Sequence, residues 1–166
     1  IIGDLFSRCV QAYPRYGSEK KGLPTTYFLT VAEEPIRAHA ELQHVDFVPL
    51  NNVNAFNLGN PLSGLISGGT AFVQHHSRNP HQVWASIPAN ARDFIRRQQI
   101  HLFALDAVKV AQEVTSLAQL SQRMQGIVLL GVFLQVAPFV AARGLGDVEL
   151  YAAIERSLRK FFGKRG

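Results

Sequence analysis

The chain has 166 residues, 47% of them hydrophobic and only 17% charged, with a single cysteine and a formal net charge of +5. This length suits one domain with a core of its own, and one thiol excludes an internal disulfide, an iron–sulfur cluster or a structural zinc site held by this chain alone. The positive charge belongs to the tail: residues 156–166 carry Arg156, Arg159, Lys160, Lys164 and Arg165 and no acid, while the rest of the chain balances twelve basic against twelve acidic side chains, which excludes the broad basic face of a nucleic-acid binder.

In chain order, Ile1, Ile2, Leu5, Phe6, Cys9 and Val10 share one stripe of a helix predicted over residues 1–12, with Cys9 a buried thiol suited to a reducing cytoplasm. The loop YPRYGSEKKGLPT at 13–25 follows, then a strand from Thr26 to Ala32, where Tyr, Phe, Thr and Val alternate. A short helical piece is expected at His39–Leu42 and a strand at Val45–Leu50, with Pro49 arguing against a fully paired centre. An asparagine-rich loop with a helical stub leads to a Ser67-Gly68-Gly69 turn and a strand over 70–74. One helix, interrupted at Pro88, covers 81–98. IHLFAL at 100–105 reads as a parallel strand buried on both faces, and Asp106 caps a helix running to Val114. Two helical segments cover 117–140, and a last helix over 147–162 turns Val148, Tyr151, Ile154, Leu158 and Phe161 inward.

Alternating strands and helices predict an α/β sandwich with a mostly parallel sheet, one domain over 1–166. The longest apolar run, Ile127 to Ala142, is broken by Gln135 and Pro138 and is too short to span a bilayer, and no signal-peptide pattern is present. A soluble cytoplasmic protein is expected, with no membrane and no nucleic-acid partner.

Several motifs resemble sites and fail on spacing. Gly64-Leu65-Ile66-Ser67-Gly68 sets its serine one place late for a nucleophile elbow. Gly3-Asp4 with Asn51-Asn52 is too widely spaced for a thiamine diphosphate motif, and neither G-x-G-x-x-G nor a P-loop occurs. His75, His76 and His81 crowd one loop that contains no Cys or carboxylate, so a solvated loop is expected rather than a metal site.

Two features point to contacts. Asn51, Asn52, Asn54 and Asn57 follow a strand directly, where open α/β sheets bind ligands, although the same side chains can cap a helical stub. In the 13–25 loop, Gly17 and Gly22 allow sharp turns, Tyr13 and Tyr16 offer flat faces, and Lys20 and Lys21 present two ammonium groups.

That loop carries a resemblance. YGSEKKGLPTTYFLTVAEEPI resembles the γ-type domain of the 2-oxoacid:ferredoxin (acceptor) oxidoreductases, whose loop usually reads Tyr-Gly-Pro-Glu-x-Arg-Gly-Gly; here those places hold Tyr16, Gly17, Ser18, Glu19, Lys20, Lys21, Gly22 and Leu23, and Glu34, Pro35 and Ile36 form the later turn. VDFVPLNN, IHLFALDAVKVAQEV with its Asp106-Ala107 pair, and QRMQGIVLLGVFLQVA extend the likeness to nearly the whole chain. Lys21 stands where the family has Arg, and lysine lacks arginine's planar fork. The family's glycine-rich first turn would precede Ile1, so the chain is expected to be an excerpt lacking its first strand.

The resemblance implies an α/β three-layer Rossmann-like sandwich, and with it a non-redox γ-type subunit or domain that takes part in oxidative decarboxylation of a 2-oxo acid to an acyl-coenzyme A. Its role would be assembly and coenzyme A access, and the isolated chain would be inactive. Thiamine diphosphate, iron–sulfur clusters and coenzyme A are implied for the whole complex and none for this chain alone; the partners are the thiamine-binding and iron–sulfur subunits or domains, and ferredoxin. The implied sites are Lys20 and Lys21 against coenzyme A phosphates, and Tyr16, Gly17, Ser18, Glu19 and Gly22 at an interface; Asn51 and Asn52 stay ligand-binding candidates from their place after a strand. The alternatives are a free-standing Rossmann-like nucleotide-binding module and a non-catalytic scaffold.

Overall fold

The computed structural model describes residues 2–15, 25–38, 40–115, 117–138 and 146–162. In chain order the elements are α1 (Ile2–Phe6), β1 (Cys9–Arg15), β2 (Thr26–Ala32), β3 (Val45–Leu50), a 3-10 turn (Val53–Asn57), β4 (Leu65–Gln74), α2 (Pro80–Ser86), α3 (Ala89–Arg97), β5 (His101–Leu105), α4 (Ala107–Val114), α5 (Ala118–Val136) and α6 (Asp147–Phe162). Contacts divide the chain into two units, residues 43–143 and residues 1–42 with 144–166.

The 43–143 unit is a three-layer sandwich. Its sheet is parallel, in the order β3-β4-β5. Pairing of Val48 with Ala71 and of Leu50 with Val73 sends these side chains to one face. There they meet Ile87, Ala91, Ile95 and Ile100 from the α2–α3 layer in a single core cluster. The alternate residues Phe47, Thr70 and Phe72 point to the opposite face. Phe133 of α5 lies edge-on to Phe47, with ring centroids 5.6 Å apart, and Phe72 is fully buried.

This sheet accounts for the glycines. Between Val45 and Phe47 the register with β4 slips, so Val45 pairs with Leu65 but Phe47 with Thr70. Ile66, Ser67, Gly68 and Gly69 of β4 stand against Asp46 alone, three residues more than β3 supplies. A Cβ on Gly69 would stand 2.8 Å from the Leu65 side chain and 2.9 Å from the Ile66 carbonyl oxygen. Gly64 has φ +85°, and a Cβ there would sit 2.7 Å from the Gln43 carbonyl oxygen. SGG is therefore a bulge inside a ten-residue strand, not a turn before a short one.

The other unit holds an antiparallel hairpin, β1 against β2, with Cys9 opposite Ala32 and Arg15 opposite Thr26. Tyr13 and Phe28 face each other across it with centroids 5.3 Å apart. α1 and α6 belong to the same unit, joined by a 2.9 Å ion pair between Asp4 and Lys160.

The structure corrects four further expectations of local structure. The predicted helix over 1–12 is cut short: α1 stops at Phe6, Ser7 turns with φ +49°, and Cys9 opens a strand. Residues 40–42 are not helical, and His39 lies outside the described residues. β5 is an edge strand whose side chains at His101, Phe103, Ala104 and Leu105 are exposed, rather than one buried on both faces. Over 117–140 the expected two helical segments agree with the described residues: α5 ends at Val136, Ala137 is extended, and Pro138 is helical again, with 139–145 outside the described residues. On α6 the inward stripe is Leu150, Ala153, Ile154, Ser157 and Leu158, whereas Val148 and Tyr151 are 83% and 65% exposed; Phe161's side chain lies outside the description. The interruption at Pro88, the helical stub after Asn52 and the helix capped by Asp106 are as the sequence predicts.

Candidate functional site at the carboxyl ends of the parallel strands

Three strands of the 43–143 unit deliver polar residues at one edge of the sheet: Asn51-Asn52 after β3, Gln74 through His76 after β4, and Asp106 after β5. This is the edge at which open parallel sheets bind ligands.

Gln74 joins two strands. Its Nε2 donates to Asp106 Oδ1 at 3.1 Å, and its Oε1 accepts from the Ala107 amide at 2.7 Å. Asp106 Oδ1 also accepts from the Lys109 amide at 3.0 Å, the cap that starts α4. That backbone bond, followed by the Gln74 bond and the nearby charges of Lys109 and His76, holds the Asp106 carboxyl below its ordinary range against a smaller opposing effect of burial. Gln74 went unnoticed in the sequence. The available signal was its position as the only polar residue ending the run TAFVQ at a strand's carboxyl end.

His75 differs from its expected solvated role. It is 6% exposed, its amide donates to the Leu105 carbonyl at 3.2 Å, and its ring stacks on His76 with centroids 4.6 Å apart. Its Nδ1 accepts from the Ser77 amide at 3.0 Å, which leaves the ring N–H at Nε2. Ser77 Oγ then accepts from the Asn79 amide, and Asn79 caps α2 through the His81 amide. His81 is exposed, and among the described residues no group of His, Cys, Asp or Glu is placed to hold a metal ion.

Asn52 is occupied by structure. Its side chain accepts from the Asn54 amide at 2.9 Å and caps the 3-10 turn. Asn51 is exposed, and its side chain has no hydrogen bond among the described residues. The capping alternative therefore describes Asn52. Ser67 Oγ donates to the Gln98 carbonyl at 3.1 Å, a bond that ties the β4 bulge to the end of α3.

Lys20, Lys21, Tyr16, Gly17, Ser18, Glu19 and Gly22 lie outside the described residues. Their flanks are described: because Arg15 pairs with Thr26, the segment joins the two strands of a hairpin and does not follow a helix. Tyr13, expected to present a contact face, donates its hydroxyl to the Ala40 carbonyl and is part of the hairpin's own packing. In the same unit, a hydrogen bond from Lys160 holds the Asp4 carboxyl below its usual range.

A family model described as pyruvate ferredoxin/flavodoxin oxidoreductase matches residues 4–166. Among similar proteins, the pyruvate:ferredoxin oxidoreductase of Moorella thermoacetica is 28% identical over all 166 residues, and the pyruvate-flavodoxin oxidoreductase of Trichormus variabilis is 26% identical over the same span. The chain covers 13% of the length of each. Among solved structures, the pyruvate oxidoreductase subunit PORC of Thermotoga maritima superposes with a TM-score of 0.51 at 18% identity, over 96% of this chain and 83% of that one. That likeness bears on the fold. No helix among the described residues is long and apolar enough to cross a membrane.

Proposed function

The chain belongs to the pyruvate ferredoxin/flavodoxin oxidoreductase family, and from that premise we propose that it is the γ-type domain of a thiamine-dependent 2-oxoacid:ferredoxin oxidoreductase. The observation that carries the reading is the family match over residues 4–166. In this role the chain supports oxidative decarboxylation of a 2-oxo acid to an acyl-coenzyme A through assembly with the rest of the enzyme and through the approach of coenzyme A.

The donor set agrees with a non-redox part. Cys9 is the only cysteine, and a cluster needs several thiolates. Thiamine diphosphate, which supplies the electron sink for decarboxylation, and the iron–sulfur clusters belong in this reading to other domains or subunits, with ferredoxin as the acceptor. Lys20 and Lys21 are the anion contacts proposed for the coenzyme A phosphates, as point charges on the segment that closes the β1–β2 hairpin. Tyr16, Gly17, Ser18, Glu19 and Gly22 are the proposed interface residues around them. Asn51 is the remaining candidate at the sheet edge.

The test is a paired assay. Enzyme containing this chain with its thiamine-binding and cluster-bearing parts is expected to reduce ferredoxin when given a 2-oxo acid and coenzyme A. The purified chain with thiamine diphosphate, coenzyme A and an artificial acceptor is expected to give no turnover. Turnover by the chain alone would refute the non-redox role. Absence of activity in the complete enzyme would refute the reaction class.

A further inference from the structure

The two edges of the parallel sheet are built differently. β3 carries Pro49, which has no N–H to offer, and proline is one device that stops a further strand from adding to an edge. β5 has none: it pairs with β4 in unbroken register from His101 to Leu105, and its sequence HLFAL holds no proline and no lysine. No described residue pairs with its outer side.

The same strand shows uncovered apolar side chains. Phe103 and Leu105 pair with Phe72 and Gln74, so they share the sheet face of Phe72. Phe72 is 1% exposed on that face, whereas Phe103 and Leu105, one strand further out, are 45% and 38% exposed. A chain poor in charge that leaves an aromatic and an aliphatic side chain beside an unguarded strand edge has a surface made for contact.

The geometry points to β5 as a docking surface for an extended apolar segment from another part of the same enzyme, laid along the outer edge of the strand and packed on Phe103 and Leu105. The choice of occupant rests on the proposed function and on length. The relatives carry the equivalent of this chain as 13% of a much longer polypeptide, while the similar Thermotoga maritima protein is a separate subunit. Either arrangement provides other enzyme surface to cover β5.

Thiol labelling in the complete enzyme tests this. Phe103→Cys and Arg97→Cys are introduced singly; both native residues are exposed in this chain, and Arg97 lies on α3 in the opposite layer. Labelling with a small maleimide is followed by peptide mapping. The thiol introduced by Phe103→Cys is expected to react at least about tenfold more slowly than that introduced by Arg97→Cys. A smaller ratio overturns the proposal. Protection that persists in a preparation lacking the other parts of the enzyme also overturns it, because the cover would then be a second copy or this chain's own residues. Phe103→Asp in the complete enzyme is expected to remove the protection of a thiol introduced at Leu105, and retention of that protection counts against the contact. Ferredoxin reduction by the same preparations separates the two readings: an active enzyme with a freely labelled Phe103→Cys thiol refutes the docking surface alone, and an inactive parent enzyme refutes the proposed function.

Discussion

The sheet of the 43–143 unit and the β1–β2 hairpin are stabilised by different physics. In the sandwich, Leu62, Ala71, Phe72, Val73 and Ile87 are all at most 1% exposed, drawn from the sheet and the segments on either side of it. In the hairpin, no residue of β1 or β2 is buried. Its described ties include the cross-strand ladder, the Tyr13–Phe28 ring contact, the Tyr13–Ala40 hydrogen bond and ion pairs such as Arg15–Glu41 at 2.9 Å, whose side chains are 59% and 48% exposed. Two-stranded ribbons are marginal by themselves, and exposed ion pairs contribute about 0–1 kcal/mol. The sandwich can thus fix the position of its strand ends, while the hairpin gains from a surface to lie against.

The sharpest way to break this contrast is to cut into both units. Phe72→Ala removes a buried ring from the middle strand and is expected to destabilise the sandwich by about 3–5 kcal/mol. Tyr13→Phe deletes one partly solvated hydrogen bond and is expected to cost about 0.5–1.5 kcal/mol. Urea unfolding with hydrogen exchange read separately at β4 and β1 checks both. Equal losses would show that the hairpin is as strongly held as the core.

The two units also differ in how far they could be read. The sandwich was legible because its signals are local and redundant: Pro88 separates two helices, Asp106 caps α4, and apolar runs mark β3, β4 and β5. What the sequence hid was position in the sheet. HLFAL looks the same at the centre or at an edge, and only the strand order makes it an edge. In the hairpin unit, IIGDLFSRCVQA fits a helical stripe throughout, yet Cys9 to Arg15 pairs with a partner 17 to 23 residues beyond Cys9 in sequence. A non-local pairing overrides local periodicity and leaves no mark in the segment itself. At the strand ends, Asn52 and Asp106 were readable as caps because capping is local, and Gln74 was not because both its partners are more than thirty residues away.

The hairpin's closing segment provides the next test. Replacing Lys20 and Lys21 together by Ala is expected to weaken coenzyme A binding by the complete enzyme by about 1–3 kcal/mol, read as a raised KM for coenzyme A. Decarboxylation measured without coenzyme A should hardly change. Because the segment joins two β-strands, no helix carboxyl terminus precedes it, and the lysines face no opposing dipole from that source. An unaltered KM with normal assembly would leave the hairpin a purely structural element.

On the sandwich side, Asp106→Ala removes the α4 cap and the Gln74 bond, with an expected loss of about 0.5–2 kcal/mol. The pH dependence has a definite sign. The folded carboxyl is held below its ordinary value by the Lys109 amide, Gln74 and nearby positive charge. Its contribution is therefore complete above the unfolded value of about 3.9 and disappears as pH falls through the lower folded value. Wild type and Asp106→Asn should converge in stability below that range and diverge above it. Parallel curves from neutral to acid pH would show that the carboxylate is not what holds the strand end to α4.

The smallest effect is expected on α6, in the hairpin unit. Arg159 reaches Glu155 at 2.8 Å with both side chains largely in water, at 78% and 64% exposure. Arg159 sits in the last turn, where a cation also complements the helix carboxyl end. Arg159→Ala should cost about 0.3–0.5 kcal/mol, as exposed i,i+4 pairs do. Most of that difference should vanish in about 1 M salt, where screening acts over roughly 3 Å. A tail that docks an acidic partner behaves otherwise. Arg159→Ala would then slow ferredoxin reduction by the complete enzyme steeply at low salt while leaving the melting temperature of the chain nearly constant, and that result would move α6 from the solvated side of the molecule to its working surface.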